Sequence, residues 1–245
     1  MRIARTHRWD LSLEAALRLQ RRLAATVDTG ARLARVHLVA GADAAYHQDG
    51  ERLVAAVVVI ALPGLEVVEQ ASAEGRVTFP YVPGLFGFRE APIVLRACRR
   101  LRARPDVLVC DGQGIAHPRR FGLACHLGYC LDLPTVGCAK SRLAGEHGPV
   151  AAQRGSWSWL RDGSERLGVV LRTRDAVRPV YVSPGWAIGF RDARALVLGT
   201  SAGYRLPEPT RRANLLVNAL RRGEPTPPPA PPAPASGRAA PASGP

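Results

Sequence analysis

Val107-Leu108-Val109-Cys110-Asp111-Gly112-Gln113-Gly114-Ile115-Ala116-His117-Pro118-Arg119-Arg120-Phe121-Gly122 is an apolar run that ends in a carboxylate and passes into glycines, a histidine and two arginines. An apolar run followed at once by Asp-Gly predicts a buried strand that stops at Asp111. The acid then sits at the strand tip, where it can hold a cation. The glycines allow backbone to approach a ligand closely. Arg119 and Arg120 can grip phosphate through their planar forks. Taken alone, the stretch would also suit a plain strand, a turn and a solvated basic loop.

A second acid, Asp43, interrupts the apolar run Leu38-Val39-Ala40-Gly41-Ala42-Asp43-Ala44-Ala45-Tyr46. A carboxylate inside a central strand is costly unless paired or metal-bound. Strand-like runs at Val36 to Tyr46, Leu53 to Leu62 and Leu65 to Val77 are joined by short turns and predict a three-strand antiparallel meander. A helix from about Arg89 to Ala103, with Pro92 in its first turn, leads into the Asp111 strand. Such a crossover makes that strand parallel to one of the meander. With strands about 4.8 Å apart, Asp43 and Asp111 can share a cation. Glu90, at the start of the crossover helix, follows the turn-rich stretch Phe79-Pro80-Tyr81-Val82-Pro83-Gly84 and adds a third carboxylate. This hard oxygen set suits Mg²⁺, with Mn²⁺ able to substitute. Singly, Glu90 would read as a first-turn acid that favours the helix dipole, and Asp43 as an edge or bulge residue.

Outward from this core, Asp10 or Ser12 caps a helix in which Leu13, Ala16, Leu17, Gln20, Leu23 and Ala24 repeat at helical spacing. Beyond Gly122, a helix is expected near Leu123 to Leu131 and a strand at Thr135 to Ala139. Weaker strands follow at Leu167 to Leu171 and Val180 to Ser183, and helices near Arg191 to Leu198 and Pro209 to Arg222. The fold class is therefore α/β: a mixed central sheet, the antiparallel meander plus parallel strands, flanked by helices. One catalytic domain is expected over 1–222. The remainder, 223–245, holds nine of the chain's 21 prolines and reads as a disordered or PPII-like Pro/Ala-rich tail.

Composition narrows the partners. Of the 245 residues 47% are hydrophobic, enough for a sizeable core. Formal net charge is +14, and the tail's one Glu and one Arg cancel, so the excess lies on the folded body. Such a field favours a polyanion, nucleic acid before an anionic membrane. Lys140 is the only lysine among 34 basic residues, and its escape from so strong an arginine bias points to ammonium chemistry. The five cysteines include no CxxC, and Cys110 and Cys138, which lie in apolar runs, read as small core residues in a reducing compartment. No apolar h-region opens the chain and no apolar run nears the ~18 residues of a membrane span, so a cytoplasmic location is expected. No Gly-x-Ser/Cys-x-Gly elbow is present, which argues against a serine or cysteine hydrolase.

Several ordered blocks together resemble the endonuclease V family of inosine-directed nucleases. They are Val39-Ala40-Gly41-Ala42-Asp43, Pro80-Tyr81-Val82-Pro83-Gly84 with Phe88-Arg89-Glu90, and Asp111-Gly112-Gln113-Gly114 with His117-Pro118-Arg119-Arg120. Thr135-Val136-Gly137-Cys138-Ala139-Lys140 and Gly203-Tyr204-Arg205-Leu206-Pro207-Glu208-Pro209-Thr210-Arg211 complete the set. The resemblance implies an RNase H-like fold and Mg²⁺-dependent hydrolysis of DNA containing deaminated bases. The cut would fall one nucleotide beyond the bond adjacent to the deaminated purine, on its 3′ side, leaving 3′-hydroxyl and 5′-phosphate ends. It implies that Asp43, Glu90 and Asp111 hold metal, that His117 and Lys140 act in the site, and that Tyr81, within Pro80-Tyr81-Val82-Pro83, is a strand-separating wedge. Gly84 and Gly112 would line the pocket for the displaced base.

Three departures stand out against that resemblance. Gln113 stands where the family often has His, Phe86 where Leu is common, and Asn214 where relatives carry His or Asp near the metal. The number of metals stays open. Two other readings remain: a ribonuclease acting mainly on inosine in single-stranded RNA, and a non-catalytic module that binds deaminated bases. The protein is expected to be a monomer with no membrane partner.

Overall fold

The computed structural model describes residues 1–225 of the 245. Helix α1 (Leu13–Ala24) precedes strands β1 (Leu38–Tyr46), β2 (Arg52–Ala61) and β3 (Glu66–Arg76). Helix α2 (Phe86–Arg100) leads to β4 (Val107–Cys110), then α3 (Leu123–Leu131) to β5 (Thr135–Ala139). Strands β6 (Trp157–Asp162), β7 (Glu165–Leu171) and β8 (Val180–Trp186), then helices α4 (Phe190–Gly199) and α5 (Glu208–Arg221), complete the order. All eight strands form one sheet, in the order β3-β2-β1-β4-β5-β8-β7-β6. The expected meander is antiparallel, β4 runs parallel to β1, and β5 runs parallel to β4. This is the RNase H-like arrangement, extended by an antiparallel unit of β8, β7 and β6.

Both faces of the central strands are covered, which is why they read as continuous apolar runs. On β2, Val54, Ala56, Val58 and Ile60 face one core with Ala213, Leu216 and Val217 of α5. Leu53, Ala55, Val57 and Val59 face the other, with Ala91, Val94 and Leu95 of α2 and Leu127 of α3. Burying such a side chain contributes about 1.5–3 kcal/mol, so the two cores supply the main driving force. A third cluster, with Phe79, Leu85, Phe88 and Phe121, seats α1 against the segments before and after the site.

Two local readings need correction. Helix α2 begins at Phe86, so Pro92 lies inside the helix and not in its first turn. Leu85 precedes it without a side-chain cap, so no Ser, Thr, Asp or Asn marked the start. Strand β6 was not expected; its Trp157-Ser158-Trp159-Leu160-Arg161-Asp162 is an edge strand with one fully buried residue, Leu160, and carries little hydrophobic signal. Of the Pro/Ala-rich tail, residues 226–245 lie outside the described residues. No helix among the described residues is long and apolar enough to cross a membrane.

Helix α5 lies so close to β1 that a Cβ at Gly41 would overlap the Pro209 carbonyl group. Gly41→Ala should therefore lower stability by about 1–3 kcal/mol through overpacking. Gly199→Ala, where the added Cβ meets nothing within 4 Å, should change it by less than about 0.5 kcal/mol. Denaturant midpoints check both; a Gly41→Ala midpoint equal to wild type would mean that α5 and β1 are not in this contact.

Candidate active site

Strand register brings the acids together. Val39 pairs with Val107 and Ala42 with Cys110 across the parallel β1–β4 ladder, so Asp43 and Asp111 stand at equivalent positions on adjacent strands. The Asp111 N–H donates to the Ala42 carbonyl at 3.0 Å, extending the ladder to that point. Period-two alternation puts both acids on the α5 side of the sheet, with Val39, Val107 and Val109. From α5, Asn214 Nδ2 donates to Asp43 Oδ2 at 2.6 Å, and the Ala44 N–H donates to Oδ1 at 2.9 Å. Lys140, just past β5, pairs through its ammonium with Asp111 Oδ2. Its own carbonyl accepts from Arg205 Nη2 at 2.6 Å.

Glu90, the third acid, comes from α2. Burial pushes its carboxyl up to about 7, opposed by the Tyr46 phenol and reinforced by the charges of Asp43 and Asp111. Burial and then the Asp111 charge push Asp43 up to about 6. Asp43 and Glu90, both reluctant to ionise, stand with Asp111 as an all-oxygen donor set that fits a hard divalent cation.

Beside the acids opens a cavity of about 430 Å³ lined by Tyr81, Gly84, Phe86, Glu90, Asp111, Gly112, Gln113, Lys140 and Leu123, among others. Tyr81 projects at its rim, 65% exposed, with Phe86 edge-on at 5.3 Å and the Arg89 guanidinium 6.0 Å from its ring centre. Pro80, Val82 and Pro83 flank it. Gly84 has φ +78°, and a Cβ there would strike the Arg119 guanidinium. Gly112, at φ +156°, is in the same glycine-favouring half of backbone space. Gln113 Nε2 donates to the Ser141 carbonyl at 2.9 Å, while its buried Oε1 has no hydrogen-bond partner among the described residues.

His117 and the arginines do something other than face the acids. The Arg119 N–H donates to His117 Nδ1 at 3.0 Å, so the ring proton sits on Nε2, which donates to the Gly84 carbonyl at 2.9 Å. Burial, then the Arg119 charge, lowers this imidazole to about 4, so it is neutral near pH 7. Arg119 turns to Gln20 Oε1 and the Pro83 carbonyl. Arg120 turns to Glu165 and Asp162 on the β6–β7 hairpin, at 2.7 and 2.8 Å. Neither arginine lines the cavity.

Sequence reading passed over Gln20 as a bracing residue. Its Nε2 donates to the Gly84 and Phe121 carbonyls, both at 2.8 Å, tying α1 to the two loops that frame the cavity. A glutamine on the apolar face of an amphipathic helix was the available signal. Arg205 gave no such signal, because its role lies in reaching the backbone of Lys140.

A folded-state pKa raised above its unfolded value means that the native chain keeps a proton the unfolded chain releases. For Asp43 that contribution is whole below about pH 4 and is lost as pH rises through about 6. With metal chelated, Asp43→Asn and wild type should be about equally stable near pH 4, and the variant more stable by about 1–3 kcal/mol at pH 8. Denaturant titrations at both pH values check this; equal stability at pH 8 would show that Asp43 ionises without penalty.

The chain matches the family model described as Endonuclease V over residues 19–215. Endonuclease V of Roseiflexus castenholzii is 47% identical over 221 residues, covering 90% of this chain and 99% of that protein. The crystal structure of the endonuclease V from Streptomyces avermitilis has a TM-score of 0.83 at 42% identity, covering 88% of this chain and 96% of that one. A Ciona intestinalis endonuclease V, in complex with a 24mer DNA containing an inosine followed by a ribo-adenosine, has a TM-score of 0.74 at 23% identity, covering 84% and 96%. At that identity the last likeness is one of fold. The first two extend over nearly the whole folded body, and the chain belongs to the endonuclease V family.

Proposed function

We propose that the protein is a Mg²⁺-dependent endonuclease that cuts DNA one nucleotide beyond the bond adjacent to a deaminated purine, on its 3′ side. Residues 1–222 are the catalytic unit in this reading. The observation that carries it is the meeting of an all-carboxylate cluster with a cavity whose rim bears an exposed aromatic, on a body with net charge +14. The cavity volume falls in the range of about 300–1,000 Å³ typical of small-ligand pockets. That the Ciona intestinalis protein was solved with inosine-containing DNA supports this choice of substrate. The position of the cut follows the family resemblance.

Asp43, Glu90 and Asp111 would hold the cation, which when bound stabilises charge on phosphate oxygens and makes an attacking water more acidic. Asn214 fixes the Asp43 carboxylate by donating to one of its oxygens. Lys140 holds an ammonium against Asp111 and can neutralise the attacked phosphate from there. Tyr81 enters the gap left in the stack when the damaged base is displaced, with Pro80 and Pro83 stiffening its turn. The displaced base lies between Gly84 and Gly112, both of which line the cavity. His117 serves as a positioning residue: its Nε2–H holds the Gly84 carbonyl and its Nδ1 holds the Arg119 backbone. Arg119 and Arg120 brace the wedge loop and the β6–β7 hairpin, and from there would grip DNA phosphates.

Cleavage of inosine-bearing DNA should require Mg²⁺ or Mn²⁺, stop in EDTA, and be abolished in Asp111→Ala while DNA binding persists through the basic surface. Single-turnover assays on matched DNA and RNA check this. Undiminished cutting by Asp111→Ala would remove the carboxylate assignment, and faster cutting of single-stranded inosine RNA would reassign the substrate.

Tyr81→Ala should weaken recognition of inosine in duplexes about tenfold or more, and less in single strands, since base stacking on an aromatic ring is worth about 1–3 kcal/mol. Binding titrations on plain and inosine-bearing duplexes separate this from a structural role, which would lower both equally.

A further inference from the structure

A second convergence of ligand atoms lies away from the carboxylates. One donor atom each from His7, His126 and Cys130 falls within 4.8 Å of the other two. His7 belongs to the N-terminal segment, which runs along α3: the Ala4 and Arg5 N–H groups both donate to the Cys130 carbonyl, at 2.8 and 3.0 Å. His126 and Cys130 lie one turn apart on α3, at the i, i+4 spacing that puts both on one face.

The two imidazoles meet through their Nε2 atoms, with the His126 Nε2–H donating to His7 Nε2. His7 Nδ1 lies 2.7 Å from the Arg8 carbonyl and must carry a proton to donate to it. In the neutral ring His7 Nε2 is then a bare lone pair, aimed at His126 Nε2 at 2.6 Å. That separation is below the ~2.7–3.2 Å of ordinary N–H hydrogen bonds. Trp9 and Phe88 wall the pair, with ring centres 4.2 and 5.9 Å from His7 and both 4.9 Å from His126. Neutral imidazole is the form that ligates metal. Tetrahedral zinc, with Zn–N of about 2.0–2.1 Å and Zn–S of about 2.3 Å, needs donor atoms about 3.4–3.6 Å apart. Opening the two nitrogens from 2.6 Å and drawing in the Cys130 sulfur from within 4.8 Å reaches that spacing.

We propose that His7 Nε2, His126 Nε2 and Cys130 Sγ form a Zn²⁺ site, its fourth position taken by water on the half-exposed His7 side, that staples the N-terminal segment to α3. On binding, the Cys130 thiol proton leaves to solvent, and the proton on His126 Nε2 gives way to one on Nδ1 by solvent exchange. His126 Nδ1 lies under Gly87, where a Cβ would come within 2.8 Å of it, so the staple sits beneath the helix turn that leads to Glu90. Its nitrogen and sulfur donors are softer than the carboxylates of the active site, and the two sites select different cations.

Cobalt substitution of the chelator-stripped full chain tests the site, with Mg²⁺ in excess to occupy the carboxylates. One equivalent of Co²⁺ should give a near-ultraviolet thiolate-to-metal charge-transfer band and visible bands of tetrahedral Co²⁺, and one equivalent of Zn²⁺ should bleach them. Cys130→Ser should remove the near-ultraviolet band, and His7→Asn, in a half-exposed segment, should weaken Co²⁺ binding at least about tenfold. Wild-type protein that develops no thiolate band overturns the proposal without recourse to any variant. So does a band that persists in Cys130→Ser, or Co²⁺ affinity unchanged in His7→Asn. Should Cys130→Ser fail to fold by circular dichroism, the wild-type spectrum and the His7→Asn titration decide.

Discussion

The parallel register of β1 and β4, carried as far as the Asp111 N–H and the Ala42 carbonyl, is the constraint on which the site hangs. Two carboxylates at equal height on neighbouring strands can address one cation. A slip of one residue would send one of them to the α2 side of the sheet. The ladder could not be antiparallel without losing that arrangement, and a parallel pair demands a crossover. Helix α2 is that crossover, and it delivers Glu90 to the same end of the strands. The electrostatic cost is visible in Asp43 and Glu90, both held above the ordinary carboxylate range chiefly by burial. A folded chain that tolerates this has placed binding ahead of stability.

Around the acids, the frame is held by buried and half-buried polar residues whose hydrogen bonds cross long stretches of sequence. Gln20, His117 and Arg119 lock the wedge turn, the His117 loop and α1 into one unit. Glu208, fully buried, pairs with Arg211 and Arg212 in the first turns of α5, the helix that brings Asn214 to Asp43. Each is paired, as buried polar and charged groups must be. The exposed Tyr81 is therefore mounted on a braced loop, and its ring is presented by rigid surroundings.

His117 and the two arginines show how a motif can be right about place and open about role. His-Pro-Arg-Arg reads as a proton donor and a phosphate grip because those are the strongest chemistries of the residue types. In the fold, both imidazole nitrogens are engaged with backbone, and Arg120 finds Asp162 and Glu165 on a hairpin 42 and 45 residues further along the chain. Such partners carry no local signature. Strand β6, which helps supply them, is itself an edge strand that alternates weakly.

By itself the sequence determined the meander, the alternation of helix and strand that follows it, and the bounds of α3 and β5, because apolar periodicity and Gly/Pro punctuation are local and strong there. It also determined that acids interrupt or terminate two apolar strands, which is costly enough to announce a site. Only the tertiary structure decided that Asp43 and Asp111 stand level on the α5 face, that Asn214 and Lys140 each take one of them, and that His117 serves the Gly84 carbonyl. It also decided that His7 meets His126 across 119 residues. Strand register, helix placement and side-chain pairing depend on contacts between residues far apart in the chain, and no local pattern encodes their distances.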